Sequence, residues 1–361
     1  MKQETIQRNS TIDIIKAIGI ISVMIGHSIV QLPIVHINIG QFVYLFHITI
    51  FFFASGITYS EKYDDNLPLF CGRRFMGIFL KFIIYNALFV FLHNTLSRMS
   101  LISAAPYAFS DIMIWVASGF VMQTNEAMLG TFWFLPVLVV SCILFALARL
   151  ASVHVSCIIK NKTSFQISMI IIMLFYAGAG LYYNYAGMYL AYHIQTSFLS
   201  APFIYIGFLV KQQYGRFEKY FSRIGYLISA AFLFLLVAVF NFQIELSVNL
   251  IISPLLFYPV SLLGIYFCMS LANTTRQHPR ISKAMAYIGK NSFHYMALHF
   301  TMFKIVDLIA VKLFHCSPEA LSEFPHSYEF GLLYVLVSLA LITSILLIYE
   351  KVINRFMAKK S

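Results

Sequence analysis

Charge is scarce in this chain. Asp, Glu, Lys and Arg make up 11% of its 361 residues, less than half the share of an ordinary soluble domain. Acidic residues are the rarer sign, 14 against 25 basic ones, for a net charge of +11. The basic residues lie between apolar segments and form no single patch, which argues against nucleic acid as a partner. Tryptophan occurs only twice. The five cysteines are odd in number and nowhere spaced CxxC, so neither a metal site nor a disulfide framework is expected; only Cys316 falls clearly in a loop on an oxidising side. Internal repeats, low-complexity linkers and compositional breaks are also missing, so a single domain over 1–361 is expected, with no separate soluble domain. What fills the chain is apolar: 60% hydrophobic residues and a mean hydropathy of +0.79. That is the composition of an all-α polytopic membrane protein.

Apolar runs of about 20 residues read as ten transmembrane helices, at 11–30, 40–59, 75–97, 130–150, 165–184, 187–210, 222–241, 247–271, 287–313 and 329–350. No small-residue cleavage site follows the first, so an uncleaved first span is expected. All but four of the 25 basic residues, the four being Lys81, Arg98, Lys304 and Lys312, fall at ends and loops of one side, from Arg73, Arg74 and Lys160 to Lys360. By the positive-inside rule both termini are cytoplasmic. Ser110 to Met122 is too short to cross and opens with a helix-capping pattern, so it reads as an interfacial or re-entrant piece on the outer side.

Against this background the ionisable residues inside spans carry the information, because each costs several kcal/mol in lipid unless it is paired or faces a wet interior. The first span holds Asp13, Lys16 and His27. Lys16 and His27 differ by about 20° in azimuth and roughly 16 Å in depth, so they share one face with Asp13 one turn further in. Asp13 is too far along the helix to bond His27, and its expected partner is Lys16. His47, in the antiparallel second span, falls at about the depth of His27. A neutral imidazole suits general-base work near pH 7. For His27 the alternatives are a catalytic base and a packed structural histidine; His47 either joins the chemistry or orients its neighbour.

Near the inner mouth, Ser55 and Gly56 interrupt an aromatic run, and Arg73 and Arg74 stand where the third span begins. The arginines read either as positive-inside anchors or as a phosphate clamp aided by helix-start amides, with Lys16 adding charge. Trp133 fits an interfacial aromatic belt, and Glu126 a solvated loop carboxylate or a second acid. In the ninth span His299 sits near mid-membrane, Tyr295 lies one turn before it, and Lys304 and Asp307 are spaced to pair. His193, in the sixth span, is another mid-depth histidine.

These residues together resemble the acyltransferase 3 family of membrane enzymes, over nearly the whole chain. Lys16, ten residues and His27 are similar to its basic-X10-His signature. YLFHITIFFFASG at 44–56 is similar to its second-span motif, with His47, Ser55 and Gly56. TFWFL at 131–135 resembles its tryptophan motif, and IGKNSFHYMALH at 288–299 its closing Gly-Lys-x-Ser and Tyr-x-x-His pattern. Where the family carries two arginines three residues apart, this chain has Arg73, Arg74 and then Gly77, so Arg73 substitutes or Lys81 reaches back.

The resemblance implies an integral O-acyltransferase of the bacterial inner membrane that moves an acyl group, acetyl by family frequency, from cytoplasmic acyl-CoA to a hydroxyl of an extracytoplasmic or lipid-linked glycan. No cofactor is then permanently bound, and acetyl-CoA is the donor substrate. His27 and His47 are expected at the chemistry, Lys16, Ser55, Arg73 and Arg74 at the donor, and Asp13, Trp133, Tyr295 and His299 in support. Some members carry a further extracytoplasmic hydrolase-like domain. This chain ends soon after its tenth span, so it is expected to act directly or with separate proteins. The competing reading is a polytopic transporter or flippase using the polar stripe as a path, although no paired halves with broken helices are evident.

Overall fold

The computed structural model describes residues 10–28, 31–32, 37–63 and 66–358. Positions 29 and 30 of the first expected span, and Lys360, lie outside the described residues. The chain runs through α1 (Ser10–His27), α2 (Ile39–Tyr44), α3 (Thr49–Thr58), α4 (Leu67–Arg98), α5 (Phe109–Ser118), α6 (Phe134–Ile159), α7 (Lys162–Tyr185), α8 (Ile194–Gln212), the short α9 (Tyr214–Phe217), α10 (Arg223–Phe240), α11 (Pro254–Arg276), α12 (Pro279–Lys290), α13 (Ser292–Phe314) and α14 (Leu332–Ala358). Two antiparallel hairpins interrupt the helices, β1 (Gln31–Leu32) with β2 (Ile37–Asn38) and β3 (Ile244–Glu245) with β4 (Leu250–Ile251).

Among the described residues nine segments are long and apolar enough to cross a membrane, with α2 and α3 together forming one. The tenth crossing is α13. Its 23 residues rise about 34 Å, but His294, His299, Lys304 and Asp307 dilute its apolar character. The crossings form two layers. The most apolar stretches of α4, α7, α10 and α14 are only 17–28% buried, whereas those of α1, α2–α3, α6, α8 and α11 are 50–72% buried. The poorly buried group exposes Met76, Leu80, Ile84, Phe91, Leu174 and Phe175. Such a surface is stable only against lipid, so the chain is a multi-pass membrane protein.

Local chemistry sets where the helices start and stop. Asn66 caps α4, accepting from the Leu69 amide at 3.0 Å, with Pro68 in the first turn. Asn161 and Ser222 cap α7 and α10 in the same way. Lys160, Asn241 and His315 end α6, α10 and α13 in the left-handed conformation. In the interior α3 packs against α8 at a glycine contact: a Cβ on Gly56 would lie 1.9 Å from Ile204 O, and one on Gly207 would lie 2.1 Å from Phe53 O.

Four boundaries differ from the sequence reading. The third crossing starts at Leu67, so Arg73 and Arg74 lie well inside α4, and the unpaired amides of a helix start belong to the turn after Asn66. The second crossing bends between Tyr44 and Thr49, where the Thr49 hydroxyl donates to Phe46 O at 3.1 Å. Residues 244–251 form the hairpin β3–β4, and the eighth crossing begins only at Pro254. The ninth is broken at Asn291, because Arg280, Lys283 and Lys290 keep α12 amphipathic and at the bundle's edge while α13 enters it. The piece expected at 110–122 holds α5 and the turn after it, with Phe109, Met113 and Ile114 exposed.

Candidate functional site

The inward face of α1 is Ile20, Val23 and His27, spaced three and four residues apart as one helical face requires. These residues line a cavity of about 130 Å³. His47, Ile48 and Phe51 of the bent second crossing close one side, and Thr131, Trp133 and Phe134 at the entry to α6 another. Ile78 of α4 and Ser292, Phe293 and Met296 of α13 complete the inner part. The wall is mostly apolar. A thioester or a nucleophile held there is screened from water, and charges that develop there interact strongly.

His27, His47 and Trp133 therefore meet at one cavity; the sequence reading set the two histidines at one depth and left Trp133 to an aromatic belt. His27 is the last residue of α1. Its ring stacks on His299 with centroids 5.5 Å apart and meets Phe300 edge-on at 4.9 Å. The His47 ring stacks on Tyr44 at 4.5 Å, and its Nδ1 has no hydrogen-bond partner among the described residues. The bend at residues 45–48 is what turns His47 into the cavity.

His299 stands behind His27, fully buried and off the cavity. Its Nδ1–H donates to Met296 O at 2.8 Å, which in the neutral ring leaves Nε2 as a bare lone pair with no protein partner. Tyr295 faces away, its hydroxyl 2.5 Å from Thr343 Oγ1 on α14. It pins two helices together. Lys304 and Asp307 pair at 3.4 Å and are satisfied by Leu321 O, Ser327 and the Tyr334 hydroxyl, so they fasten the 315–331 segment to α13.

The inner residues are not in the cavity wall. Lys16, Ser55 and Arg74 each sit one turn inward of a lining residue on the same helix face, below Ile20, Phe51 and Ile78 respectively. Lys16 pairs with Asp13 at 3.7 Å, as expected. The Ser55 hydroxyl donates to Phe51 O at 2.9 Å. Arg74 Nε is buried with no partner among the described residues. Arg73, about 100° around the helix, is exposed and donates to the Tyr63 hydroxyl at 3.2 Å, so the two arginines do not point together. Lys81 lies over the Phe293 ring at 5.2 Å, at the cavity's inner end.

Sequence reasoning missed two groups. Glu245 and Ser247, from the β3–β4 hairpin, line the cavity's outer end and bond each other, and Glu245 also borders a small recess with Gln41, Tyr44 and Gln243. Burial raises the Glu245 carboxyl above its ordinary value, and the Ser247 bond partly opposes this. An acid flanked by turn-forming Asn241 and Asn249 was the available signal. On the opposite face, Arg280, Lys283 and Lys290 line a basin with Asp13. Their spacing on an amphipathic stretch was the signal there. Asp13 near the start of α1 and Leu347 of α14 border this same basin.

Among the described residues, a bundle of membrane-crossing helices thus brings His27 and His47 to one mostly apolar cavity. The chain matches the acyltransferase 3 family, described as an acyltransferase domain, over residues 9–350, and it belongs to that family. No curated protein and no solved structure matches the chain.

Proposed function

We propose that this protein is a single-domain O-acyltransferase of the bacterial inner membrane that carries an acetyl group from cytoplasmic acetyl-CoA to a hydroxyl of an extracytoplasmic or lipid-linked glycan. The observation that carries this reading is the placement of His27 and His47 on one apolar cavity within an acyltransferase-family chain. In this scheme His27 takes the proton of the acceptor hydroxyl as its oxygen attacks the thioester carbonyl carbon. The carbon–sulfur bond then breaks, and the departing CoA thiolate receives the proton to give CoA-SH and the O-acyl product. His47 hydrogen-bonds the carbonyl oxygen as charge builds on it. His299 is a positioning residue that fixes the plane of the His27 ring.

The donor is placed from the inner face, where the basic residues concentrate. Arg74 and Lys16, each a turn below the cavity wall, and Arg73 at the rim meet the CoA phosphates, while Ser55 flanks the pantetheine path. CoA is a substrate that comes and goes, and the scheme needs no resident cofactor. The test is mass spectrometry of cell-surface and lipid-linked glycans with and without this gene. Loss of one acetyl mass from a glycan class is the expected result; unchanged acylation throughout would reject the reading.

A further inference from the structure

A second basin, of about 550 Å³, is left unused by the scheme above. It opens between α5, the 122–126 loop and the turn at 191–193. Both tryptophans of the chain, Trp115 and Trp133, line it, together with Tyr192 and His193. Trp133 is shared, since it also borders the His27 cavity. A ligand against Trp133 is therefore one indole away from the reactive imidazoles.

The polar groups of this basin are arranged for hydroxyls. Glu126 is 3% exposed, and its Oε2 lies 3.1 Å from His93 Nδ1. His93 is itself fixed, with Nε2–H donating to Ala105 O at 3.1 Å and the ring stacked on Tyr107 at 3.4 Å. The Tyr107 hydroxyl also approaches the Glu126 carboxyl, whose other oxygen, Oε1, is buried with no partner in hydrogen-bond geometry among the described residues. Leaving a buried polar atom unpaired costs stability, so a carboxyl held this firmly with one oxygen unused fits a ligand hydroxyl. Gln123 and Asn125 add exposed amides, and among the described residues no Lys or Arg lines the basin. Nothing there matches a phosphate or a carboxylate.

We propose that this basin is the acceptor subsite and holds a neutral pyranose against Trp115 and Trp133. Its hydroxyls bond Gln123, Asn125 and the free oxygen of Glu126, and the hydroxyl to be acylated is directed past Trp133 toward His27. The inference rests on the acyl-transfer reading and names its acceptor class. Indole faces take the apolar C–H face of a sugar ring, and a few convergent polar groups set its orientation.

Because both tryptophans line the basin, intrinsic emission of the purified protein in nanodiscs reports occupancy directly. The probes are the methyl glycosides of glucose, galactose, mannose, rhamnose and N-acetylglucosamine, with methyl glucuronide as the anionic control. A saturable emission change is expected with at least one neutral glycoside. Its half-saturation should rise at least about fivefold in Gln123→Ala/Asn125→Ala, two exposed positions whose loss leaves the fold intact, and in Trp115→Ala. Half-saturation for acetyl-CoA should not move in the same variants. No response to any neutral glycoside, or equal response to the glucuronide with no effect of the substitutions, overturns the subsite. The two readings separate cleanly: glycoside binding without acetyl transfer sinks the transfer reading and keeps the subsite, and transfer indifferent to these substitutions does the reverse.

Discussion

In the proposed scheme the role of His27 follows from its position: the ring ends α1, lines the cavity and rests on His299, whose own Nδ1 is committed to Met296 O. At the inner end the same principle of position separates two neighbouring arginines. Arg74 sits on the face of α4 that carries Ile78 and keeps a buried, unpartnered Nε, while Arg73 is exposed and bound to Tyr63. Arg74→Ala should therefore raise the acetyl-CoA half-saturation about tenfold, the loss of one charge-assisted hydrogen bond, with a smaller effect from Arg73→Ala. Initial-rate kinetics on the two single variants decide the matter, and equal or reversed effects would remove the preference for Arg74.

At the scale of helices, the close crossing of α3 and α8 holds the bent second span, and with it His47, in place. Gly56→Val puts a side chain into Ile204 O, so the helices must part. The expected result is a lower unfolding temperature and, in whatever protein folds, weaker transfer at unchanged acetyl-CoA binding. Wild-type stability in that variant would show that the crossing is looser than described. This contact was invisible in the sequence, where Gly56 stood out only as an interruption among aromatics. The crossings themselves were legible because about 20 apolar residues are a physical requirement of the bilayer, and the stripe from Lys16 to His27 was legible because a helix repeats every 3.6 residues. Bends and breaks were not. The turn at His47 and the break at Asn291 satisfy their backbone locally, the His47 amide donating to Val43 O and the Asn291 amide to Tyr287 O, and an apolar run gives no sign of them. Glu245 escaped notice for a related reason, since its place at the cavity follows from a hairpin that folds back over α1, and neighbouring residues do not announce that path.

For the molecule as a whole, α1, the second crossing, α6 and α13, with Ile78 of α4, line the cavity, and the poorly buried faces of α4, α7, α10 and α14 meet lipid. The charge bias predicts the Lys160 end of α6 in the cytoplasm and the segment after α13 outside. Exposed Cys157 and half-buried Cys316 lie on those opposite faces and are natural reporters. In intact cells a membrane-impermeant maleimide should label Cys316 and spare Cys157 until the membrane is opened. The reverse pattern would invert the topology and put the cavity's histidine end on the donor side.

The central claim is that acyl donor and acceptor meet at the His27 imidazole. It is tested most directly by the rate of acetyl transfer in purified, folded His27→Gln that still binds acetyl-CoA with wild-type affinity. A fall of about 10²- to 10⁴-fold is predicted, the range for removal of a general base. A rate within a few fold of wild type would contradict the account.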